Sequence, residues 1–550
     1  MKKIVTMLLM MLCANSWAQT KIQVNNLSKL AKVWGFLKYY HPAVAKGEID
    51  WHSKLIKLIP IAAQESSQEF NNTLTACYFE LPKAKISSFV TQPKGDSILR
   101  IFDEKELKGF NLDKRLITAF IQLYSYHLPD SSRYITNKYK QYTLDFILNT
   151  EDSFDENDYP SPEVRLLALF RYWNIINYQF PHKKLVSQHW DKILPKYIPI
   201  FWQAKDQWAY RNAVQKLATE MEDSHAFYKE ESYDKNQSFN VAFDLKKIGG
   251  RYYVSGFYNA HLAKNEDIQK GDEIVKINNV QVKIYEKTKL FGVTGSNRNT
   301  KYRDQAKQLL RIDTVKNYQL VVRRQQQLLT LNVARYTWAQ LNDKSKKVNV
   351  DQVSNWKEIT PGVWQVKFCS ITTEHELKEM FEAVKTAKKV IWDMRGYPVY
   401  ALLKQTFASL MPHKTVLGTN INANLYFPGT FTLRKEIYYP EKPMYASYAG
   451  KMIVLVNEQT QSLAESVSAQ LALRPNTIIM GRQTAGTTGN INYLELPGKI
   501  STSFTSVGFI GANNSFVQKK GVKVNIKMKI NLEELKSNVD VLLQKALAEN

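Results

Sequence analysis

Apolar side chains in the first part of the chain recur at helical spacing. They fall three and four residues apart, as in Leu30, Val33, Trp34 and Leu37. This interval matches the 3.6-residue turn of an α-helix with one buried stripe. The pattern therefore predicts an amphipathic helix, whose tryptophans and tyrosines are interpreted as packing between helices.

The same pattern returns further along the chain. Residues 30–64 match residues 169–203 without a gap, at an offset of 139. Each first helix is expected to stop at its proline, Pro42 or Pro181, because proline cannot continue the backbone hydrogen bonding. The duplication predicts two related helical hairpins, bridged by a less regular stretch over about 86–160 with room for short strands.

Short β-type runs replace the helical pattern from about residue 236 to 338. Residues 252–254 and 318–322 are β-branched or aromatic runs of strand length. Residues 270–282 read as a glycine turn, a strand, an Asn278-Asn279 turn and a second strand, which is a compact hairpin pattern. This part of the chain is predicted to form a small β domain.

Strands and helices alternate over the last two hundred residues. The predicted strands are 363–368, 389–392 and 452–456, and the predicted helices are 374–387, 463–473 and a closing helix over about 531–547. Alternation of this kind predicts an α/β layer fold. At 550 residues, the whole chain is long enough for two to four domains.

The first eighteen residues have the pattern of an export signal. Lys2 and Lys3 precede an apolar run, and Ser16 and Ala18 supply small residues before a cleavage point that leaves Gln19 first. No later stretch is long and apolar enough to span a bilayer. The chain is therefore expected to be exported, periplasmic or secreted, without an integral membrane segment after signal removal.

The formal net charge of +24 is spread along the chain. The sequence contains no block of five or six like charges and no nucleic-acid motif, so nucleic acid is not expected as a partner. Attraction to anionic peptides or to an acidic surface fits this charge better. No cysteine or histidine group has metal-ligand spacing, and no metal or organic cofactor is implied.

Ser462 is the strongest candidate for chemistry. An apolar strand over 453–456 runs into a polar turn and then into a helix that begins at Ser462. One interpretation is a capping box, in which Ser462 and Glu465 satisfy free amide groups at the helix start. The other is a nucleophile, because free amides and the helix dipole favour the oxyanion formed in acyl transfer.

Four motifs in order resemble those of S41 serine peptidases. The segment 462–465 resembles the family's S-x-A-E nucleophile region, residues 393–398 its D-x-R-x-N-P turn, residues 481–486 its G-x-x-T-x-G turn and Gly521-Val522 its end. The hairpin at 270–282 resembles the PDZ signature. With this PDZ-like insert, the resemblance covers roughly residues 205–550.

The resemblance implies a multidomain α/β protein. Its parts are expected as a signal peptide over 1–18, a duplicated helical N-terminal domain over 19–232, a PDZ-like β domain over 233–340 and a ClpP/crotonase-like α/β peptidase domain over 341–550. The implied activity is that of an exported serine endopeptidase, of the tail-specific or tricorn-like type, acting on peptides or unfolded proteins. A free substrate C-terminus is expected at the PDZ-like domain.

The family has a Ser-Lys and a Ser-His catalytic style, and Thr487 stands where the Ser-Lys style has its lysine. By resemblance to the Ser-His style, Ser462 is the nucleophile and His225 its base. Ser224 then orients the base, and Gln518, in place of a glutamate, accepts a hydrogen bond from Ser224.

The same resemblance places the oxyanion hole at the Leu463 amide and at one amide of the turn from Gly396 to Tyr400. Val399 and Tyr400 stand where the family has two glycines. Together with the uncharged Gln518, these departures support the alternative function, a catalytically inactive S41-like binding or adaptor protein.

Overall fold

The computed structural model describes most of the chain. The described residues are 20–83, 90–127, 132–137, 146–148, 157–229, 239–311, 315–342, 354–512, 514–515, 517–530, 532–537 and 539–549. The predicted signal peptide therefore lies outside the described residues. Among the described helices, none combines the length and the apolarity needed to cross a membrane.

The chain forms two compact units. Unit 1 comprises Met1–Met221, Ile421–Arg434 and Asn490–Val507, and unit 2 comprises Glu222–Asn420, Lys435–Gly489 and Gly508–Asn550. Two late segments thus return to unit 1, which the linear domain boundaries did not anticipate. The predicted division at 232 and 340 stays a prediction.

Unit 1 is mainly helical. Its helices are Lys21–Tyr40, Pro42–Ala45, Trp51–Gln64, Ser67–Phe79, Glu104–Lys108, Lys114–Ser125, Pro162–Gln179, Ile193–Trp202 and Gln207–Thr219. Polar side chains start several of them, because an oxygen at the cap accepts a free amide of the first turn. Thr20, Asp50 and Ser161 do so for three of the longer helices. The first helix of each copy ends just before its proline, as predicted.

The sequence duplication has a structural counterpart in reciprocal tryptophan contacts. Trp34 and Trp51 each donate an indole N–H to the other's carbonyl at 3.0 Å. Trp173 and Trp190, which lie 139 positions later, make the same pair of bonds at 3.1 and 3.0 Å. Each pair fixes the first helix of its copy to the helical segment that starts at Trp51 or at Trp190.

The two copies also meet at equivalent positions. A Cβ on Gly35 would lie 1.8 Å from Asn174 Oδ1, so only glycine permits this close approach. Asn174 donates to the Ala31 carbonyl at 2.9 Å across the interface. The copies therefore differ where they touch: glycine in the first faces asparagine in the second.

The stretch between the copies holds more structure than predicted. Its short strands are Val90–Thr91, Ile98–Arg100, Tyr126–His127, Ile135–Asn137 and Phe146–Leu148. The helices Glu104–Lys108 and Lys114–Ser125 were not anticipated. The strand Ile98–Arg100 pairs antiparallel with the start of Thr430–Tyr438, and Ile491–Leu496 forms a hairpin with Ile500–Thr505.

Unit 2 contains an antiparallel sheet in its first part. The order of its main strands is Gln327–Ala334, Asn317–Arg324, Glu273–Ile277, Arg251–Phe257 and Phe243–Ile248, with Val280–Gln281 beside Glu273–Ile277. Asn278 and Asn279 have φ of 48° and 65°, as a tight hairpin turn of two left-handed residues requires. The predicted hairpin is therefore present.

Helices cover this sheet. They are Ala260–Asn265, Val282–Lys289, Arg298–Gln308 and Trp338–Leu341, and a small pair of strands, Phe239–Asn240 with Tyr336–Thr337, lies beside them. The strand Phe243–Ile248 ends the sheet order, and Arg298–Gln308 packs beside it. This edge strand and helix bound a groove.

A second, mainly parallel sheet forms the rest of unit 2. Its order is Trp356–Thr360, Val363–Val366, Lys389–Asp393, Lys451–Val456, Thr477–Gly481 and Ile526–Lys527, with only the first strand antiparallel. Successive residues along each strand point alternately into two hydrophobic cores, so both faces of the sheet are covered. Helices Glu374–Val384, Leu403–Leu410 and Leu463–Leu471 contribute to one core and Val541–Ala548 to the other. The predicted α/β layer is confirmed.

The closing helix differs from the prediction. The chain forms two helices, Leu532–Lys536 and Val541–Ala548, instead of one over 531–547. Asp540 explains the second start, because its carboxylate accepts the Leu543 amide at 3.1 Å and also pairs with Arg395 at 2.5 Å. The remaining strands are Tyr228–Lys229, Thr415–Ala423 and Gly508–Gly511.

Candidate active site

Ser462 occupies a strained turn at the carboxyl end of the parallel sheet. The strand Lys451–Val456 delivers the chain to this edge, and the helix Leu463–Leu471 starts directly after Ser462. Ser462 has φ of 56° and ψ of −117°, a conformation that L-residues rarely adopt. Such strain costs about 1–3 kcal/mol and concentrates at functional positions. A simple helix cap requires no such conformation.

Glu465 ties this helix start to the turn at 484–487. Its carboxylate accepts the Thr484 hydroxyl at 2.5 Å, the Gly486 amide at 2.7 Å and the Thr487 amide at 2.9 Å. The Ser462 amide also approaches it, at 3.3 Å. Burial nevertheless raises the pKa of this carboxyl to about 7, because the hydrogen bonds offset only part of the desolvation.

Gly486 is required at its place in this turn. Its φ is 74°, and a Cβ there would lie 2.9 Å from the Lys519 backbone and from Asn297 Nδ2. A larger residue would push the turn away from Glu465. The G-x-x-T-x-G pattern thus has a physical reason in this chain.

Thr487 connects Ser462 with His225. Its carbonyl accepts the Ser462 amide at 3.0 Å. Its hydroxyl lies 2.8 Å from Asp223 Oδ1 and 3.2 Å from His225 Nδ1. The structure therefore brings the predicted nucleophile and base to the two sides of one residue.

His225 is almost fully buried, with 1% of its surface exposed. Burial lowers the pKa of its imidazole, while the nearby Asp223 carboxylate acts in the opposite direction. The imidazole is therefore neutral at neutral pH. A neutral ring is the form that can accept a proton.

Ser224 and Gln518 do not make the contact expected of them. The Ser224 hydroxyl accepts the Ser296 amide at 2.8 Å, and Gln518 Nε2 donates to Asp223 Oδ1 at 3.3 Å. The expected Gln518–Ser224 hydrogen bond is therefore wrong. The Ser224 hydroxyl donates instead to the Ala485 carbonyl, at 3.5 Å, and Gln518 Oε1 is buried without a hydrogen-bond partner among the described residues.

The predicted oxyanion groups lie at the same sheet edge as Ser462. Asp393 pairs with Leu455 in adjacent parallel strands, and the Thr460 hydroxyl donates to the Met394 carbonyl at 2.8 Å. The turn from Gly396 to Tyr400 follows Met394 directly. Within that turn Val399 is partly buried, and the Tyr400 side chain is 77% exposed.

The Leu463 amide stands at the first position of its helix. First-turn amides have no partner within the helix, and among the hydrogen bonds of the described residues none uses this one. The Leu463 amide therefore marks a position at the helix start where an anion can bind.

Three site residues were missed as site residues by sequence reasoning. Asp223 was passed over although it directly precedes the Ser224-His225 pair, and an acidic neighbour of a candidate base was an available signal. Glu465 was assigned only to a cap. Thr487 was noted only as the absence of a lysine, and nothing in the sequence places its hydroxyl beside His225.

The helix Arg298–Gln308 contacts the turn before Ser462 and the turn at 484–487. Arg303 donates to the Glu458 carbonyl and to Gln461 Oε1, both at 2.7 Å, just before Ser462. Thr300 donates to the Ala485 carbonyl at 2.9 Å, just before Gly486. The β part of unit 2 is thereby connected to the site.

A groove of about 620 Å³ lies along this helix and the edge strand Phe243–Ile248. Basic side chains exceed acidic ones in its lining, which includes Lys246, Arg298, Arg303, Lys307, Asp244 and Glu458. Lys246 and Glu458 form an ion pair at 3.1 Å. The net positive lining favours an anionic ligand. Within the described residues, no group of three or more His, Cys, Asp or Glu side chains could hold a metal ion.

Comparisons with known proteins identify similar sequences. Residues 361–528 match the model of Peptidase family S41. The carboxy-terminal processing protease CtpA of Bacillus subtilis (strain 168) is 24% identical over 330 residues, which cover 58% of this chain and 63% of that protein. The chain thus spans less than two thirds of the length of that curated relative.

Two solved structures resemble this chain to different degrees. Mature CPAF complexed with lactacystin has a TM-score of 0.52 at 12% identity, covering 68% of this chain and 95% of that chain. The photosystem II D1 C-terminal processing protease has a TM-score of 0.41 at 15% identity, covering 69% of this chain and 98% of that chain. At 12% identity, the likeness to CPAF concerns the multidomain α/β fold.

Proposed function

We propose that the chain is a serine endopeptidase of the S41 type that forms an acyl-enzyme on Ser462, since residues 361–528 match the model of that family. The observation that carries the proposal is the strained Ser462 turn, joined through Thr487 to a buried, neutral His225. A residue that only caps a helix does not require a strained backbone, so the strain favours a catalytic role for Ser462. The substrates are peptides or unfolded protein chains.

The proposed mechanism uses the side chains in the order of acyl transfer. His225 Nε2 takes the Ser462 hydroxyl proton while the Ser462 oxygen attacks the peptide carbonyl. The oxyanion is held by the Leu463 amide and by an amide of the turn from Gly396 to Tyr400. His225 then gives the proton to the departing amine, and a water molecule, deprotonated by His225, releases the acid and restores Ser462.

The groove supplies a binding place for the substrate chain. An edge strand such as Phe243–Ile248 can pair with an extended peptide through its backbone, as PDZ domains do. Its basic lining suits a peptide that ends in a free carboxylate. The helix Arg298–Gln308 forms one side of this groove. The same helix contacts the turn before Ser462 and the turn at 484–487.

The finer architecture is part of the same proposal. Residues 19–232 are a duplicated helical domain, 233–340 a PDZ-like domain and 341–550 a ClpP/crotonase-like peptidase domain. Residues 1–18 are a signal peptide, so the mature protein acts in the periplasm or outside the cell. Its site uses no metal or organic cofactor.

A binding or adaptor protein without catalysis is the second candidate. Val399 and Tyr400 stand where the family has two glycines. The amide Oε1 of Gln518, where the family has a glutamate, is buried without a hydrogen-bond partner among the described residues. In this alternative, the groove still binds peptide ends but Ser462 is not activated.

Labelling with a fluorophosphonate probe separates the two candidates, because only an activated serine reacts. The purified mature protein should label and should cleave an unfolded casein, and Ser462→Ala should do neither. Labelling of Ser462→Ala to the same extent would show that another residue reacts. An unlabelled, inactive wild-type protein that still binds peptides ending in a free carboxylate would favour the adaptor.

A further inference from the structure

We propose that Thr487 and Asp223 are positioning residues that hold His225 in the one tautomer able to serve as a base. The inference rests on the proposed function, in which His225 accepts the Ser462 proton. It assigns to these two residues the orienting role that the resemblance had placed on Ser224 and Gln518.

The number of available protons determines which group donates in each of the two hydrogen bonds of the Thr487 hydroxyl. An ionised carboxylate accepts hydrogen bonds and donates none. The single Thr487 hydroxyl proton therefore points to Asp223 Oδ1, 2.8 Å away. The Thr487 oxygen is left to accept, so His225 Nδ1, at 3.2 Å, must carry the ring proton.

This arrangement leaves Nε2 of the neutral ring unprotonated. The Nδ1–H tautomer is the form that a serine-activating histidine needs, because Nε2 then holds the lone pair that receives the hydroxyl proton. A hydroxyl whose proton was not claimed by Asp223 could donate to Nδ1 and stabilise the opposite tautomer. Asp223 thus sets the tautomer through Thr487.

Asp223 is itself firmly held. It is fully buried and also accepts the His225 backbone amide at 3.2 Å and Gln518 Nε2 at 3.3 Å. The charge of Asp223 acts on the His225 imidazole, where it favours the protonated ring. When His225 becomes an imidazolium during catalysis, this charge stabilises it through a low-dielectric interior. The negative charge absent at Gln518 is therefore present at Asp223.

Two other carboxylates, one bonded to Thr487 and one next to Asp223 in the chain, have partners of their own. Glu465 lies behind Thr487 and accepts its amide, and Glu222 pairs with Lys519. A lysine at position 487 would place a cation beside Nδ1 and would oppose imidazolium formation. Threonine at this position therefore suits a histidine base.

The test reads the tautomer directly. Nitrogen-15 NMR of histidine-labelled full-length protein at neutral pH should show His225 with a protonated Nδ1 and an unprotonated Nε2, assigned by loss of the signals in His225→Gln. Thr487→Val should change this pattern, and Thr487→Ser should restore it. An unchanged pattern in a folded Thr487→Val protein would overturn the proposal.

Kinetics supply the second readout. Thr487→Val should lower kcat by about 100-fold with little change in KM, since positioning partners of a catalytic imidazole act on the chemical step. Asp223→Asn should move the acid limb of the pH profile to lower pH. Wild-type kcat in Thr487→Val, or an unmoved limb in Asp223→Asn, would refute the role.

A neighbouring threonine provides the matched control. Thr488 is also fully buried, and its hydroxyl has no hydrogen-bond partner among the described residues. Thr488→Val should keep wild-type kcat and the wild-type nitrogen pattern; a loss equal to that of Thr487→Val would mean that packing alone explains both. If the wild-type protein is not labelled by the fluorophosphonate, the proposed function fails, and the nitrogen signals still decide the tautomer.

Discussion

Replacing Glu465 by glutamine tests whether a buried carboxylate organises the site. In the folded protein the pKa of this carboxyl lies at about 7, against an ordinary 4.5. Burial causes the increase, and the amides of Gly486 and Thr487 reduce it. Glutamine keeps the shape but has no proton to lose.

The shift can be expressed as a free energy. Each unit of pKa corresponds to 1.36 kcal/mol, so the shift is worth about 3 kcal/mol. Because the folded pKa is raised, this stability is fully present below about pH 4.5 and is lost as the pH rises through about 7. The wild-type protein should therefore lose about 3 kcal/mol of unfolding free energy, relative to Glu465→Gln, between about pH 4.5 and pH 8.

The pH dependence of the stability difference between the two proteins is more informative than the difference at any single pH. Glutamine also turns an NH₂ group toward backbone amides, at a cost of about 1–3 kcal/mol per unsatisfied group. That cost is the same at every pH. Only the pH-dependent part belongs to the ionisation of Glu465.

Hydrogen exchange in increasing urea measures the effect in unit 2 alone. Peptides covering 451–481 report the parallel sheet separately from unit 1, which a single melting curve cannot do. The difference between the two proteins should narrow by about 3 kcal/mol as the pH rises. A difference constant to within about 1 kcal/mol over that range would refute the reasoning.

Three further predictions follow from the same geometry. Ser462→Gly should be more stable than Ser462→Ala by about 1 kcal/mol, because glycine adopts the φ of 56° without strain; equal stabilities in urea would deny the strain. The acid limb of the kcat/KM profile should have its midpoint below pH 6.5, since burial lowers the pKa of His225, and a midpoint above that value would contradict it. Intact mass of exported material should begin at Gln19, and material retaining Met1 in the envelope would exclude the cleavage.

Much of the fold followed from local patterns. The helical duplication, the Asn278-Asn279 hairpin and the α/β alternation were predicted from spacing and turn chemistry, which depend on neighbours in the chain. The sequence pattern predicted the closing helix incorrectly, because one residue there makes a contact that is distant in the chain. Asp540 divides the closing helix because it caps the second half and pairs with Arg395, 145 positions earlier.

Ser462 and His225 were proposed as nucleophile and base from the sequence because each belongs to a local motif. The sequence by itself determined the residue types, the turn that delivers Ser462 and the absence of a lysine at position 487. Only the tertiary structure places the Thr487 carbonyl on the Ser462 amide and the Thr487 hydroxyl beside Asp223 and His225 Nδ1. Asp223 and Thr487 are 264 positions apart, and hydrogen-bond partners at that distance are selected by burial and competition among acceptors, which no local pattern encodes.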